Sequence, residues 1–380
     1  MSQCPIATVS CPIRVPDDCD APRKQRLLRG SRALKHRVYH SSRYPYRICF
    51  VVLARVRRYI HLTAPVRRSA NRYDEEFPVT TAFAPTAAHN AGGAIADQHI
   101  EIRAFDGPVG AEVLGLDLSK PLSPQNFARI HRAHLDHHVL VFRDQRITPD
   151  EQIAFSRRFG PLQIHVLHQF QLPGYPEVLV VSNIVENGQP IGLGDAGHYW
   201  HSDLSYKEKP SLGSLLHAQE LPAEGGDTLF ANMHLAWDTL PAHLRSAVEG
   251  RSAEHTYLAK YAELQKRSPW RPNLSAEQIA QVKPVVHPIV RTHPETGRRA
   301  LFVSEHFTTR VIGLPEDESR QLLDEIFAHS VRAEHVYRHR WAEHDMVFWD
   351  NRSLMHLAAG TPDHLRRKLY RTTIEGDVPF

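Results

Sequence analysis

From His99 onward the chain is cut into short apolar or alternating runs, each bounded by Gly, Pro, Asn or Asp. Such runs suit strands of a few residues and leave little room for long helices. His99–Arg103 alternates as a strand, and Ala111–Leu118 makes a second one after Gly110. Val139–Phe142 and Val178–Val181 read as buried strands. Ser214–Ala218 and Gly225–Phe230, the latter a turn into a strand, continue the pattern. Val285–Arg291, Arg299–Val303, His335–Arg340, Met346–Trp349 and Leu369–Glu375 complete it. Helices are fewer. Ser123 caps one, with Pro124 in its first turn and Phe127, Ile130, His134 and Leu135 on its inner face. Thr148-Pro149-Asp150-Glu151 is a capping box for a second that runs to about Arg158 and stops before Gly160. Others are predicted at Met233–Leu240, Pro241–Glu249, after Ser275 and at Pro315–His329, with residues 250–284 otherwise an irregular excursion. Many short strands with helices on the outside predict a mainly β fold, a two-sheet jelly roll (double-stranded β-helix), rather than a parallel sheet.

The first stretch differs. Residues 1–97 carry 16 Lys+Arg against 7 Asp+Glu, which leaves residues 98–380 with a net charge of −5. All four cysteines (Cys4, Cys11, Cys19, Cys49) fall there, at spacings that match no zinc site. The stretch shows no sustained period and reads as a basic, disordered extension, an Arg-rich targeting peptide or a segment upstream of the true start, the last being favoured. The folded part, 98–380, has no cysteine, which fits a reducing cytoplasm. No apolar run approaches the ~20 residues that span a bilayer. The negative charge of the folded part argues against a groove that tracks nucleic-acid phosphates.

Chemistry concentrates at Tyr199-Trp200-His201-Ser202-Asp203. A His and an Asp two apart on a strand point to the same face. Imidazole nitrogen and carboxylate oxygen suit Fe(II), Mn(II) or Zn(II). The best third ligand is His356, in the tract Phe348-Trp349-Asp350-Asn351-Arg352-Ser353-Leu354-Met355-His356. A His-x-Asp pair alone is a weak signal in a chain with 26 His. His131, His134, His137 and His138 lack a carboxylate and read as a solvated or partly packed helix face, and His335, His339 and His344 read the same way. Gly225-Gly226 is no phosphate loop, because no Lys-Ser/Thr follows.

Four features stand together: Trp-His-Ser-Asp at 200–203, Gly-Gly-Asp-Thr at 225–228, Trp-Asp-Asn-Arg at 349–352 with His356, and Arg366-Arg367 with Arg371. With Phe142-Arg143-Asp144-Gln145 before the Thr148 helix and Arg158-Phe159-Gly160 after it, the chain from about His99 to Phe380 resembles the taurine dioxygenase and 2,4-dichlorophenoxyacetate dioxygenase family. The resemblance implies a fold, cofactors and roles. Fe(II), 2-oxoglutarate and O2 would be used, with His201, Asp203 and His356 as iron ligands. Arg367, eleven residues after His356, would pair with the distal carboxylate of 2-oxoglutarate, and Thr228 would donate to the same group. A guanidinium fork suits a carboxylate. Arg371 matches an arginine near the substrate's anionic end, His165 a taurine-contacting His of taurine dioxygenase, and Trp349 an aromatic near the iron pocket. The implied reaction couples decarboxylation of 2-oxoglutarate to succinate with hydroxylation of a substrate carbon.

At the substrate pocket the match thins. His168 stands where taurine dioxygenase has a Tyr, and Gly197 where it has a substrate-contacting Asn, which argues against taurine itself. Tyr206 and Arg291-Thr292-His293-Pro294 look closer to the aryloxyacetate branch. The expected substrate is a small organic anion: a sulfonate, sulfate ester or aryloxy/alkyl carboxylate. Family analogy suggests a homo-oligomer. The alternative is a non-catalytic anion-binding protein on the same scaffold with an idle metal site, against which the presence of all three ligands and both arginines speaks.

Overall fold

A computed structural model describes residues 97–380; residues 1–96, and with them the three readings of the N-terminal stretch and its cysteines, lie outside the described residues. The strand Val139–Phe142 has the predicted bounds and explains its own composition. Side chains alternate across a strand; Val139 and Val141 enter one apolar core, Leu140 and Phe142 another. Its neighbour Met346–Asp350 divides in the same way, with Val347 and Trp349 on one side and Met346 and Phe348 on the other. These strands are central to a sheet buried on both faces.

That sheet has eight strands, in the order Glu101–Ala104, Ala111–Leu114, Val139–Phe142, Met346–Asp350, Ser211–Glu220, Lys368–Glu375, Tyr175–Ser182 and Gln171–Leu172. Neighbours are antiparallel except Ala111–Leu114 against Val139–Phe142. Its outer face is covered by the helices Pro124–His137 and Pro149–Arg157, through Ile130, Ala133 and Phe155. Both caps form as predicted: Ser123 accepts from the Asn126 amide, and Thr148 and Glu151 close a reciprocal box. The first helix buries Asn126, Ile130, Ala133 and His134, while Phe127 and Leu135 are only half-buried. Asn126 can be buried because its side-chain amide donates to Asp97 and to the Gln98 carbonyl.

The second layer is a three-stranded antiparallel sheet, Val336–His339, Thr228–Asn232 and Leu354–Ala358. Its Phe230 and Leu354 share a core with Val347, Trp349, Leu216 and Leu369 of the large sheet. Two sheets facing one core give the jelly roll. Burial of each such side chain contributes about 1.5–3 kcal/mol.

Four expectations need correction. The Trp200–Asp203 tract is no strand: only His201 pairs, as a single bridge to His356, and Leu204 at φ 57° turns the chain away. Residues 250–284 hold a strand, Ser252–His255, and a helix, Tyr261–Arg267, besides the expected helix at Ala276–Gln281. Leu354–Ala358 and Thr308–Val311 are strands that the reading above lacks. Of the histidines expected on solvated or partly packed faces, His134, His138, His335 and His339 are packed to full burial; His134 stacks on Phe348 with ring centroids 3.8 Å apart and planes 1° apart. Among the described residues, no helix is long and apolar enough to cross a membrane.

Candidate metal centre and its pockets

The edge strand Leu354–Ala358 carries His356, and the chain at His201 runs beside it. The two residues exchange backbone hydrogen bonds, His201 N to His356 O at 3.1 Å and His356 N to His201 O at 2.8 Å. The bridge brings their rings to 4.1 Å. Two residues on, the turn swings the Asp203 carboxylate back toward both. His201 Nε2 lies 3.5 Å from Asp203 Oδ1, and His356 Nε2 lies 3.9 Å from Oδ2. Ligand atoms of the three buried residues fall within 4.8 Å of one another, the one such group among the described residues. The same-face relation expected from a strand is thus produced by a turn.

Protonation suits a cation. His201 Nδ1 donates to the Tyr199 carbonyl at 2.9 Å, which fixes the ring with Nε2 toward Asp203. Burial, reinforced by His201, holds His356 well below the ordinary imidazole range, so it is neutral. Burial opposes ionisation of Asp203, but the Arg371 charge, the largest of the opposing causes, helps to outweigh it and hold the carboxyl well below its usual range. Two imidazoles and one carboxylate on one side leave the other side open to exchangeable ligands.

Arg367 immediately precedes the strand Lys368–Glu375 and is buried beside a cavity of about 110 Å³ that Asn183, Gly226 and Ala358 also line. Among the described residues its Nε and Nη2 have no partner, and burial pushes the guanidinium down to about 10, with Asp227 acting against it. A buried, unpaired guanidinium is costly unless an anion completes it. Gly226 is needed here: its φ is 75°, and a Cβ would sit 3.1 Å from Arg367 Nε. Thr228 opens the adjacent strand, opposite Ala358 in the ladder, and its Oγ1 accepts from Trp341 Nε1 at 3.1 Å.

Arg371 faces a second cavity, next to the ligands, that His165, Tyr206, Tyr257 and Phe307 also line. Its Nη1 donates to Asp203 Oδ1 at 3.1 Å, and its Nε is unpaired among the described residues. Burial and the Arg371 charge push His165 down to about 3, so that ring is neutral. Gly197 lies on the wall of this cavity, whereas His168 is exposed and pairs with Gln171. Trp349 lines neither cavity. It is 1% exposed, backs His356 at a ring distance of 4.7 Å and donates to Asn351 Oδ1 at 3.0 Å. Its pocket role gives way to support of a ligand. Arg291 and His293 also serve structure, paired with Asp377 and Asp350.

Other residues of the site have no role in the sequence reading. Ser214 donates to Asp203 Oδ2 at 2.7 Å, and Asn351 Oδ1 accepts from the Asp203 amide at 3.1 Å. The Asn351 amide nitrogen donates to Ser211 and Ser214, so one side chain ties the large sheet to the Asp203 backbone. A Ser next to the apolar pair Leu215 and Leu216 is the available signal for Ser214. Arg271 pairs with Asp195, Nε to Oδ2 at 2.9 Å, and both line the second cavity with Tyr257 and Tyr261. Tyr257 and Tyr261 stand four apart, a spacing that hints at a shared face where the chain otherwise reads as irregular.

The family model described as taurine catabolism dioxygenase TauD, TfdA family matches residues 101–373. An alpha-ketoglutarate-dependent 2,4-dichlorophenoxyacetate dioxygenase of Cupriavidus pinatubonensis is 38% identical over 279 residues, covering 70% of this chain and 95% of the relative. An alkylsulfatase of Acinetobacter baylyi is 31% identical over 290 residues, 74% of this chain and 86% of its own. Among solved structures, a taurine dioxygenase from Burkholderia xenovorans superposes with a TM-score of 0.61 at 33% identity, covering 74% of this chain and 90% of that one. AAD-2 in complex with Mn(II) and N-oxalylglycine gives 0.63 at 32% identity, covering 74% and 98%.

Proposed function

Because this chain belongs to the TauD/TfdA family of dioxygenases, an Fe(II)- and 2-oxoglutarate-dependent group, we propose that His201, Asp203 and His356 hold the iron. The observation that carries the assignment is the convergence of their ligand atoms within 4.8 Å in a buried setting. Iron with 2-oxoglutarate and O2 supplies the oxidising chemistry, releasing succinate and CO2 as one oxygen atom enters a substrate C–H bond. The protein's own task is placement and exclusion of water.

Arg367 and Thr228 take the distal carboxylate of 2-oxoglutarate. The unpaired Nε and Nη2 of Arg367 supply the donors. Arg371 and neutral His165 receive the substrate's anionic end. Tyr206, Tyr257, Phe307 and Leu204 provide an apolar wall for its body. That lining supports an anion with an aromatic or apolar body, such as an aryloxy or alkyl carboxylate or a sulfate ester, over a small polar sulfonate. Gly197, on the wall of that cavity, disfavours taurine. The names of the herbicide-cleaving and sulfatase relatives fit the same class. We place the enzyme in the cytoplasm as a homo-oligomer, with neither nucleic acid nor membrane as partner.

Succinate release in the presence of aryloxyalkanoates, alkyl sulfates and alkylsulfonates tests the reading. The expected result is stimulation by an aryl or alkyl anion, none by its methyl ester, and loss of stimulation in Arg371→Gln. Equal stimulation by ester and acid would contradict the role of Arg371.

A further inference from the structure

We propose that Trp341 is a positioning residue for 2-oxoglutarate, its indole N–H turning the Thr228 hydroxyl into a committed donor. The inference rests on the assignment of Arg367 and Thr228 to the distal carboxylate. In the ladder His339 is the partner of Thr228, and Trp341 lies two residues beyond the end of that strand. From there its Nε1 reaches Thr228 Oγ1 at 3.1 Å.

The direction of this bond is fixed by chemistry. An indole N–H only donates, whereas a hydroxyl has one proton and two lone pairs. Trp341 therefore occupies a lone pair, and the Thr228 proton must point elsewhere. Among the described residues that side chain makes no other hydrogen bond. The proton is left for an arriving acceptor.

The same indole stands beside the other half of the site. Arg367 Cζ is 5.9 Å from the Trp341 ring centroid, at the outer range of a cation–π contact. His339 meets the indole edge-on at 4.7 Å and 88°. Its ring is in turn 3.4 Å from the buried Asp345 carboxylate, which Arg143 also holds. One fixed ring thus touches both groups that would grip the carboxylate, and acts on the ligand only through them.

Trp341→Phe keeps an aromatic ring and removes the N–H. Anaerobic titration of the Fe(II)-loaded protein with 2-oxoglutarate should show a dissociation constant raised about tenfold, the scale of one hydrogen bond to a charged group. Binding of 2-oxobutyrate, a 2-oxo acid without the distal carboxylate, should be unchanged in the same variant. Placed on Thr228→Val, the substitution should add less than about twofold, because the hydroxyl it orients is gone. Equal weakening of both oxo acids, unchanged 2-oxoglutarate binding, or a full tenfold loss on Thr228→Val would each overturn the proposal. Failure of the unsubstituted protein to bind 2-oxoglutarate would instead remove the site assignment beneath it.

Discussion

Arg366 and Arg367 are adjacent in the chain and opposite in fate. Arg366 is exposed and pairs with Glu220 and Glu186, while Arg367 is buried with two unpaired nitrogens. Arg366→Ala should leave the urea midpoint essentially unchanged, as for other exposed pairs. Arg367→Gln should cost about 2–5 kcal/mol of 2-oxoglutarate binding, the range for one side of a buried ion pair, with Fe(II) affinity retained. Separate titrations of the two ligands would show it. Ser214 belongs at the same scale. Its hydroxyl fixes Asp203 Oδ2, so Ser214→Ala should weaken Fe(II) binding by about 10- to 100-fold in a competition assay with a chelator. The candidate ligands and Arg367 were legible through the family resemblance, because the roles proposed for them sit on distinctive residue types. Ser214 and Asn351 carry none, and their contacts span chain separations that only folding closes.

Among the elements, those with local causes were legible. Thr148 and Glu151 announce a helix start through a reciprocal bond three residues apart, and Val139–Phe142 announces a doubly buried strand by its composition. The turn after His201 was not legible, since Leu204 at φ 57° adopts a conformation that its residue type does not advertise. Nor was the buried network behind the His356 strand. Asp350 is fully buried, held by Arg352 through Nε at 2.9 Å and Nη2 at 2.8 Å, and by His293 at 3.0 Å. This network anchors the turn between Met346–Asp350 and Leu354–Ala358, and hence His356. Arg352→Ala leaves that carboxylate without its main cation and should lower stability by about 3–5 kcal/mol, measured by urea unfolding.

Across the whole molecule, buried imidazoles set the response to acid. Burial holds His134, His138 and His255 at about 3, against an ordinary value near 6.5. In the unfolded chain they take up protons as pH drops below about 6.5. The unfolded state therefore binds more protons between 6.5 and 3, and stability falls with acidification through that window. Glu295 adds a second, lower step. Burial opposes its ionisation, but His131 and Arg352 outweigh it and hold its carboxyl at about 2, so its stabilisation is present above the unfolded carboxylate value and lost as pH falls toward 2. Urea midpoints should drop steadily from pH 7.5 to 5, and His134→Phe should flatten that slope; a midpoint independent of pH would contradict this account. The two-sheet architecture was readable from strand number and length, whereas the burial of these histidines was not, since a polar residue's place depends on partners distant in sequence.

The most direct measurement is anaerobic titration of the metal-free protein with Fe(II) and then 2-oxoglutarate, followed by visible absorption. The account predicts a charge-transfer band that requires both ligands, vanishes in His356→Ala and forms only at higher 2-oxoglutarate in Arg367→Gln. Folded protein that shows no band, or a band indifferent to His356→Ala, would contradict the assignment of His201, Asp203 and His356 as the iron site.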